Sequence, residues 1–140
     1  MADRIASATW HGDLFQGSGT VSAETSGLFT DAGVTWASRT ESAGGRTSPE
    51  ELIAAAHAAC FSMALANELS SRGGAPARLQ VRATATFDAP KITKVLLEVT
   101  AEVPGDDAGF REALAAAEQS CPVSNALRGN VQIEVSATSG

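Results

Sequence analysis

The residues best equipped for chemistry are two thiols, Cys60 and Cys121. Cys60 stands in Ala58-Ala59-Cys60-Phe61, inside a long apolar run. A cysteine there is ordinarily an inert core residue, because burial raises the thiol pKa and only the thiolate is a nucleophile. Reactivity at Cys60 requires a nearby cation. Cys121 has a different setting. Ser120-Cys121-Pro122 puts it at or just before a helix N-terminus, where exposed amides and the helix dipole favour a thiolate and proline is tolerated in the first turn. The same spacing suits an ordinary neighbour of an N-cap. The thiols are 61 positions apart, so only the fold decides whether they meet. The absence of Cys-x-x-Cys argues against a thioredoxin-type redox pair.

His57 precedes Cys60 by three residues, about 60° around a helix, on a roughly shared face. That spacing suits a thiolate–imidazolium pair, a metal pair or, more plainly, a satisfied core histidine. His11 sits beside a turn and reads as a surface residue. Two histidines and two cysteines are enough donors for zinc, but their spacings match no metal-binding pattern, so no metal is expected.

The elements that must position these residues fall into two stretches. The first 47 residues are rich in Gly, Ser and Thr. Ile5 to Trp10, Gly19 to Ala23 and Val34 to Arg39 show β-like alternation between glycine turns, which predicts three or four short strands in a meander. Ser48-Pro49-Glu50-Glu51 then reads as a capping box opening a helix that runs to about Ser71 and stops at Gly73-Gly74. Leu52 to Ala66 has almost no polar face, and a helix apolar all round is expected to be buried on all sides, in part by a second copy of the chain. Leu79 to Phe87 and Lys94 to Val103 alternate at period two around Ala89-Pro90, which predicts a long hairpin. A helix capped by Asp106 or Asp107 should reach about Gln119. A short helix should follow from Cys121-Pro122 to Arg128-Gly129, and Val131 to Val135 should be a last strand. Strands with helices between them and few βαβ units indicate an α+β fold.

Composition narrows the function classes. The chain has 140 residues, 44% hydrophobic, with a mean hydropathy of zero. That fits one domain over residues 1–140 with material for a core, and it excludes a disordered chain. Charged residues make up 19%, below the usual ~25% and in keeping with a surface partly covered by a partner. A net charge of −6 argues against nucleic-acid binding. Two cysteines exclude a disulfide-rich scaffold. The opening Met1-Ala2-Asp3-Arg4 lacks the apolar core of a secretory signal. The longest apolar stretch without a charge, Leu52 to Ala66, is 15 residues, too short for a ~30 Å hydrocarbon core. A cytoplasmic protein with no membrane partner and reduced thiols is therefore expected.

Pro49-Glu50-Glu51-Leu52-Ile53-Ala54-Ala55-Ala56-His57-Ala58-Ala59-Cys60-Phe61-Ser62-Met63-Ala64-Leu65 resembles the signature of the OsmC/Ohr family, the osmotically inducible and organic-hydroperoxide-resistance proteins. Cys121-Pro122-Val123-Ser124 resembles that family's second cysteine motif. The opening Ala8-Thr9-Trp10-His11-Gly12 and the final strand fit as well, so the likeness covers nearly the whole chain. It implies antiparallel sheets packed around a long central helix in an interlocked homodimer. It also implies a cofactor-free thiol peroxidase that reduces organic hydroperoxides and, less well, hydrogen peroxide, in response to oxidative or osmotic stress. Cys60 would be the peroxidatic cysteine and Cys121 the resolving one, with a dithiol of the dihydrolipoamide type as reductant. The family's glutamate falls on Glu50. Its arginine falls on Arg39 if the chain follows the OsmC branch, with Arg46 as competitor. The Ohr branch places the arginine in the first hairpin, and residues 12–19 contain none. Without the resemblance, Arg39 reads as a strand-end charge and Glu50 as a helix cap.

Glu50 and Cys60 on one straight helix would lie roughly 15 Å apart along the axis and about 80° apart around it. An arginine held by Glu50 is thus expected to serve the Cys60 of the partner chain. Phe61 and Met63 are expected to line a site for an alkyl tail. The competing class is a non-catalytic dimeric module that holds a small ligand or a metal. A purely structural dimer with two core cysteines is the remaining alternative.

Overall fold

The computed structural model describes residues 1–139, which form two compact units, Met1–Leu52 and the chain from Ile53 onward. In the first unit β1 (Ala6–His11), β2 (Ser18–Ala23) and β3 (Ala32–Val34) make an antiparallel meander in the order β1-β2-β3. Trp10 pairs across the ladder with Gly19. A Cβ on Gly19 would stand 2.5 Å from the Trp10 ring and 2.7 Å from the Thr9 carbonyl, so glycine is what lets the indole lie flat over β2.

The strand expected over Val34 to Arg39 ends at Val34, and α1 (Trp36–Thr40) takes its place. Thr35 is the reason. Its side chain accepts the Ser38 N–H at 3.0 Å while Ser38 Oγ accepts the Thr35 N–H at 2.9 Å. This reciprocal cap outweighs the β-like alternation of Val34, Trp36 and Ser38. Ser38 Oγ also donates to the Thr47 carbonyl, and the Thr47 N–H donates to the Gly33 carbonyl, so the intervening loop is tied at both ends.

The long helix, α2 (Pro49–Ser71), has the expected bounds. Of the capping box at its start, the Ser48 arm is made, with Ser48 Oγ accepting the Glu51 N–H at 3.1 Å. The Glu51 carboxylate accepts the Thr47 hydroxyl at 2.7 Å instead of returning to Ser48.

In the second unit β4 (Arg78–Asp88) and β5 (Lys91–Glu102) form the long hairpin, turning at Ala89-Pro90. Then come α3 (Asp107–Ser120), capped by Asp106, α4 (Pro122–Leu127) and β6 (Gln132–Ser139). β6 pairs with β5 in parallel, giving the order β4-β5-β6. The expectation of antiparallel sheets holds for the first sheet, whereas the second is mixed. The helical crossover through α3 and α4 returns the chain in the direction of β5, as a parallel neighbour requires.

The core of this unit joins Val95, Leu97, Val99 and Ala101 of β5, Phe110, Ala113 and Ala117 of α3, Cys121, and Phe61, Leu65 and Leu69 of α2. α2 is buried along one stripe, with His57, Phe61 and Leu65 at zero exposure. Ala55, Ala59 and Met63 on its other side are exposed in the single chain, so the expectation of burial all round is not met by one copy. The helix has 23 residues and by length and composition alone could cross a membrane, unlike the 15-residue charge-free stretch within it. Its buried stripe identifies it as a core helix.

Leu97 is completely buried and Leu28 is 82% exposed. Leu97→Ala should therefore cost about 2–5 kcal/mol, while Leu28→Ala stays within about 0.5 kcal/mol. Urea denaturation followed by circular dichroism checks this, and equal losses would contradict the placement of the core.

Candidate active site

The two thiols, separated by 61 positions in sequence, meet in the second unit. Cys60 projects from the half-buried flank of α2, and Cys121 is fully buried at the joint between α3 and α4. Both are free thiols, close enough for Cys121 to bear on the ionisation of Cys60. The joint explains the position of Cys121. It is the C-cap of α3, its N–H donating to the Ala117 carbonyl, and also the N-cap of α4, with Pro122 at the first helical position. Its sulfur accepts the Ser124 N–H at 3.5 Å, the place usually taken by a serine or aspartate oxygen. After α4, Arg128 pairs with Glu118 of α3 at 2.8 Å and so closes the short helix against the longer one.

The electrostatics of Cys60 are a contest. Burial pushes its thiol up from the ordinary value, the Val123 N–H of α4 draws it down, and the neighbouring Cys121 thiol adds to the upward push. Burial is the largest influence, so the second unit by itself holds Cys60 toward the neutral thiol.

His57 is a core histidine, completely buried. Its Nε2 lies 2.7 Å from Ser124 Oγ, and its Nδ1 has no hydrogen-bond partner among the described residues. Among those residues no group of three or more His, Cys, Asp or Glu side chains is arranged to hold a metal.

The first unit brings Arg39 and Glu50 together. Arg39 Nη2 lies 2.8 Å from Glu50 Oε1, and Nε donates to the same carboxylate at 2.9 and 3.2 Å. The Glu50 side chain keeps only 8% of its exposure and the Arg39 side chain 29%. Trp36 supports the guanidinium, its ring centroid 5.8 Å from Arg39 Cζ, and Phe15 meets Trp36 edge-on at 5.7 Å. Arg46 is exposed, lies along Gly33 and forms no ion pair among the described residues. Of the two candidate arginines, Arg39 is the one that Glu50 holds.

Beside Arg39 the first unit carries an apolar cleft of about 530 Å³, walled by Trp10, Leu14, Val21, Trp36 and Leu52. These residues were not anticipated as lining. The expectation named Phe61 and Met63, but Phe61 has zero exposure inside the core and is not available to a ligand. The signal that pointed to the cleft was the Trp10–Gly19 pairing, which is visible only once the strands are in register.

A mixed α+β chain with two free thiols in contact and a separately anchored arginine–carboxylate pair defines a thiol redox protein of restricted type. The sequence profile of the family described as OsmC-like protein matches residues 42–136. The chain is 40% identical over 132 residues to the Peroxiredoxin OsmC of Escherichia coli (strain K12), an alignment covering 91% of each. Among solved structures it resembles the OsmC-like protein of Mycoplasma pneumoniae, with a TM-score of 0.75, 16% identity and coverage of 99% and 97% of the two chains. It also resembles the organic hydroperoxide resistance protein OsmC of Legionella pneumophila, with a TM-score of 0.69, 27% identity and 99% of both chains covered. The chain belongs to the OsmC-like family, and within it to the peroxiredoxin-like enzymes.

Burial lowers the His57 imidazole from its ordinary 6.5, with Glu118 opposing less strongly. A base whose folded pKa lies below its unfolded one binds more protons when unfolded. Its contribution to stability is complete above 6.5 and declines as the pH falls below that value. The urea midpoint should drop between about pH 7 and pH 5.5 by more in the wild type than in His57→Gln. Equal drops would assign the acid sensitivity to another group.

Proposed function

We propose that this enzyme reduces organic hydroperoxides, and hydrogen peroxide less well, through Cys60, with Cys121 resolving the oxidised cysteine. The observation that carries the reading is the contact between the two free thiols, one half-buried and one sealed. The names of the Escherichia coli and Legionella pneumophila proteins support it.

The Cys60 thiolate attacks the distal peroxide oxygen. The O–O bond breaks, an alkoxide leaves and takes up a proton, and Cys60 becomes a sulfenic acid. Cys121 then attacks the sulfenic sulfur. The S–S bond forms, the S–O bond breaks, and the Cys121 proton leaves with the hydroxyl as water. A dithiol reductant, of the dihydrolipoamide type, restores both thiols by exchange. The cytoplasm is the compartment in which such a pair is kept reduced.

A buried thiol needs a cation to ionise, and Arg39 is the proposed one. Held bidentately by Glu50, it favours the Cys60 thiolate and stabilises the departing alkoxide. In this reading Arg39 and Glu50 serve the Cys60 of a partner chain in a homodimer. The exposure of Ala55, Ala59 and Met63 on α2, and of every residue of β1 including Trp10, supports burial of these surfaces by a second copy. The apolar cleft beside Arg39 suits an alkyl or aryl tail and favours organic peroxides over hydrogen peroxide.

Cys60→Ser should abolish peroxide consumption while leaving the fold intact. Cys121→Ser should permit one stoichiometric reduction and then accumulate sulfinic or sulfonic Cys60, where wild type gives a Cys60–Cys121 disulfide by mass spectrometry. Persistent turnover in Cys60→Ser, or wild type without the disulfide, would overturn the assignment.

Arg39→Ala should raise the Cys60 pKa and slow the peroxide step by ~10² or more, Glu50→Ala should do so more mildly, and Arg46→Ala should behave as wild type. Stopped-flow kinetics with cumene hydroperoxide across pH measures all three. Damage by Arg46→Ala with a silent Arg39→Ala would exchange their roles. Mixing Cys60→Ser with Arg39→Ala chains should restore partial activity in heterodimers. No recovery would place both groups of one site in one chain.

A further inference from the structure

His57 and Ser124 take no part in the steps above, yet each is completely buried and each lies three residues from a cysteine, His57 before Cys60 and Ser124 after Cys121. Their 2.7 Å hydrogen bond spans 67 residues of sequence and joins α2 directly to α4. Ser124 is bound at both ends, since its N–H is the donor to Cys121 Sγ. A continuous chain of contacts therefore runs from His57 through Ser124 Oγ and Ser124 N to Cys121 Sγ, and from there to Cys60 on the same helix as His57. It closes a ring around the thiol pair.

The unpartnered Nδ1 strengthens the point. A buried imidazole with one nitrogen unsatisfied is less favourable for packing than an apolar side chain of similar volume. The polar group at position 57 is explained by what its other nitrogen does, and that is to hold Ser124.

We propose that His57 and Ser124 are positioning residues for disulfide formation: their hydrogen bond fixes the register of α4 against α2 and so holds Cys121 Sγ in line with the sulfenic sulfur of Cys60. This rests on the reading of Cys60 and Cys121 as peroxidatic and resolving thiols. The step served is attack of Cys121 sulfur on Cys60–SOH, with S–S formation, S–O cleavage and release of water. Its competitor is a second peroxide, which transfers oxygen to Cys60–SOH to give the sulfinic acid and an alcohol. Alignment decides between the two, because a small misplacement of reacting atoms slows an intramolecular step steeply.

The test is the ratio of sulfinic Cys60 to Cys60–Cys121 disulfide, measured by mass spectrometry after a pulse of cumene hydroperoxide. Ser124→Ala and His57→Leu should each raise that ratio roughly tenfold or more. His57→Gln, whose amide reaches the position of Nε2, should return it toward wild type. Leu69→Ala, a core change about 18 Å along α2 from His57, serves as the control for lost stability and should leave the ratio at the wild-type value. A ratio unchanged in Ser124→Ala, or raised as much by Leu69→Ala, would overturn the positioning role. If wild type forms no disulfide at all, the two-thiol reading itself fails, and that outcome is distinct from either. Should His57→Leu not fold, Ser124→Ala, which removes a single buried oxygen, carries the test.

Discussion

Burial opposes the ionisation of Cys60, and the arrangement of the molecule follows from that opposition. α2 has to be dry along His57, Phe61, Leu65 and Leu69 to hold the β4-β5-β6 sheet. A cysteine on the edge of a dry stripe inherits the same low polarity, which favours the thiol over the thiolate. The second unit supplies one partial remedy, the Val123 N–H directed at Cys60. Among its described residues no cation acts on that thiol, and burial remains the dominant influence on the group. The strongly anchored cation, Arg39, is built into the first unit by Glu50 and Trp36. Thiol and cation are thus fixed by different parts of the chain, each with its own local logic, which is the division that the proposed sharing of a site between two copies calls for.

The placement of α4 shows how local capping sets chemical geometry. A helix of six residues has little stability of its own. Here it is secured at its start by Cys121 as N-cap, with Pro122 pre-setting the first turn, at its middle by the Ser124–His57 bond, and after its end by Arg128 on Glu118. Each attachment is modest, and hydrogen bonds of this kind contribute on the order of 1 kcal/mol. Together they fix the segment that begins at Cys121.

Most of the elements were legible because their signals are local. Ser48-Pro49 and Gly73-Gly74 delimit α2, the period-two alternation of β4 and β5 is unambiguous, and Asp106 and Cys121-Pro122 mark the starts of α3 and α4. The error at α1 came from two local signals in competition. Val34, Trp36 and Ser38 alternate like a strand, but Thr35 and Ser38 can cap each other, and the closed cap prevailed. The parallel pairing of β6 was hidden because alternation gives a strand its faces and not its direction. At the site, Arg39, Glu50, Cys60 and Cys121 were named through resemblance, since their spacings alone favoured a strand-end charge, a helix cap and a core thiol. What no spacing could provide was the pairing of Arg39, and not Arg46, with the Glu50 carboxylate eleven residues away. Nor could spacing reveal the His57–Ser124 bond, whose partners are 67 residues apart.

The unequal burial of the two sulfurs has a consequence for the regeneration of the proposed disulfide. Thiol–disulfide exchange requires the incoming thiolate to approach along the S–S axis, so the accessible sulfur is the one attacked. Cys121 has no exposed surface, while Cys60 is half-buried. A dithiol reductant would therefore add to Cys60 and expel Cys121 as a thiolate. The Ser124 N–H that already points at Cys121 Sγ would receive that negative charge at the start of α4, where the helix dipole favours it as well. The same N–H caps α4 through the Cys121 sulfur and binds it more strongly as the sulfur acquires charge, so in the proposed cycle the sulfur N-cap would serve both the attack on the sulfenic acid and the release by the reductant.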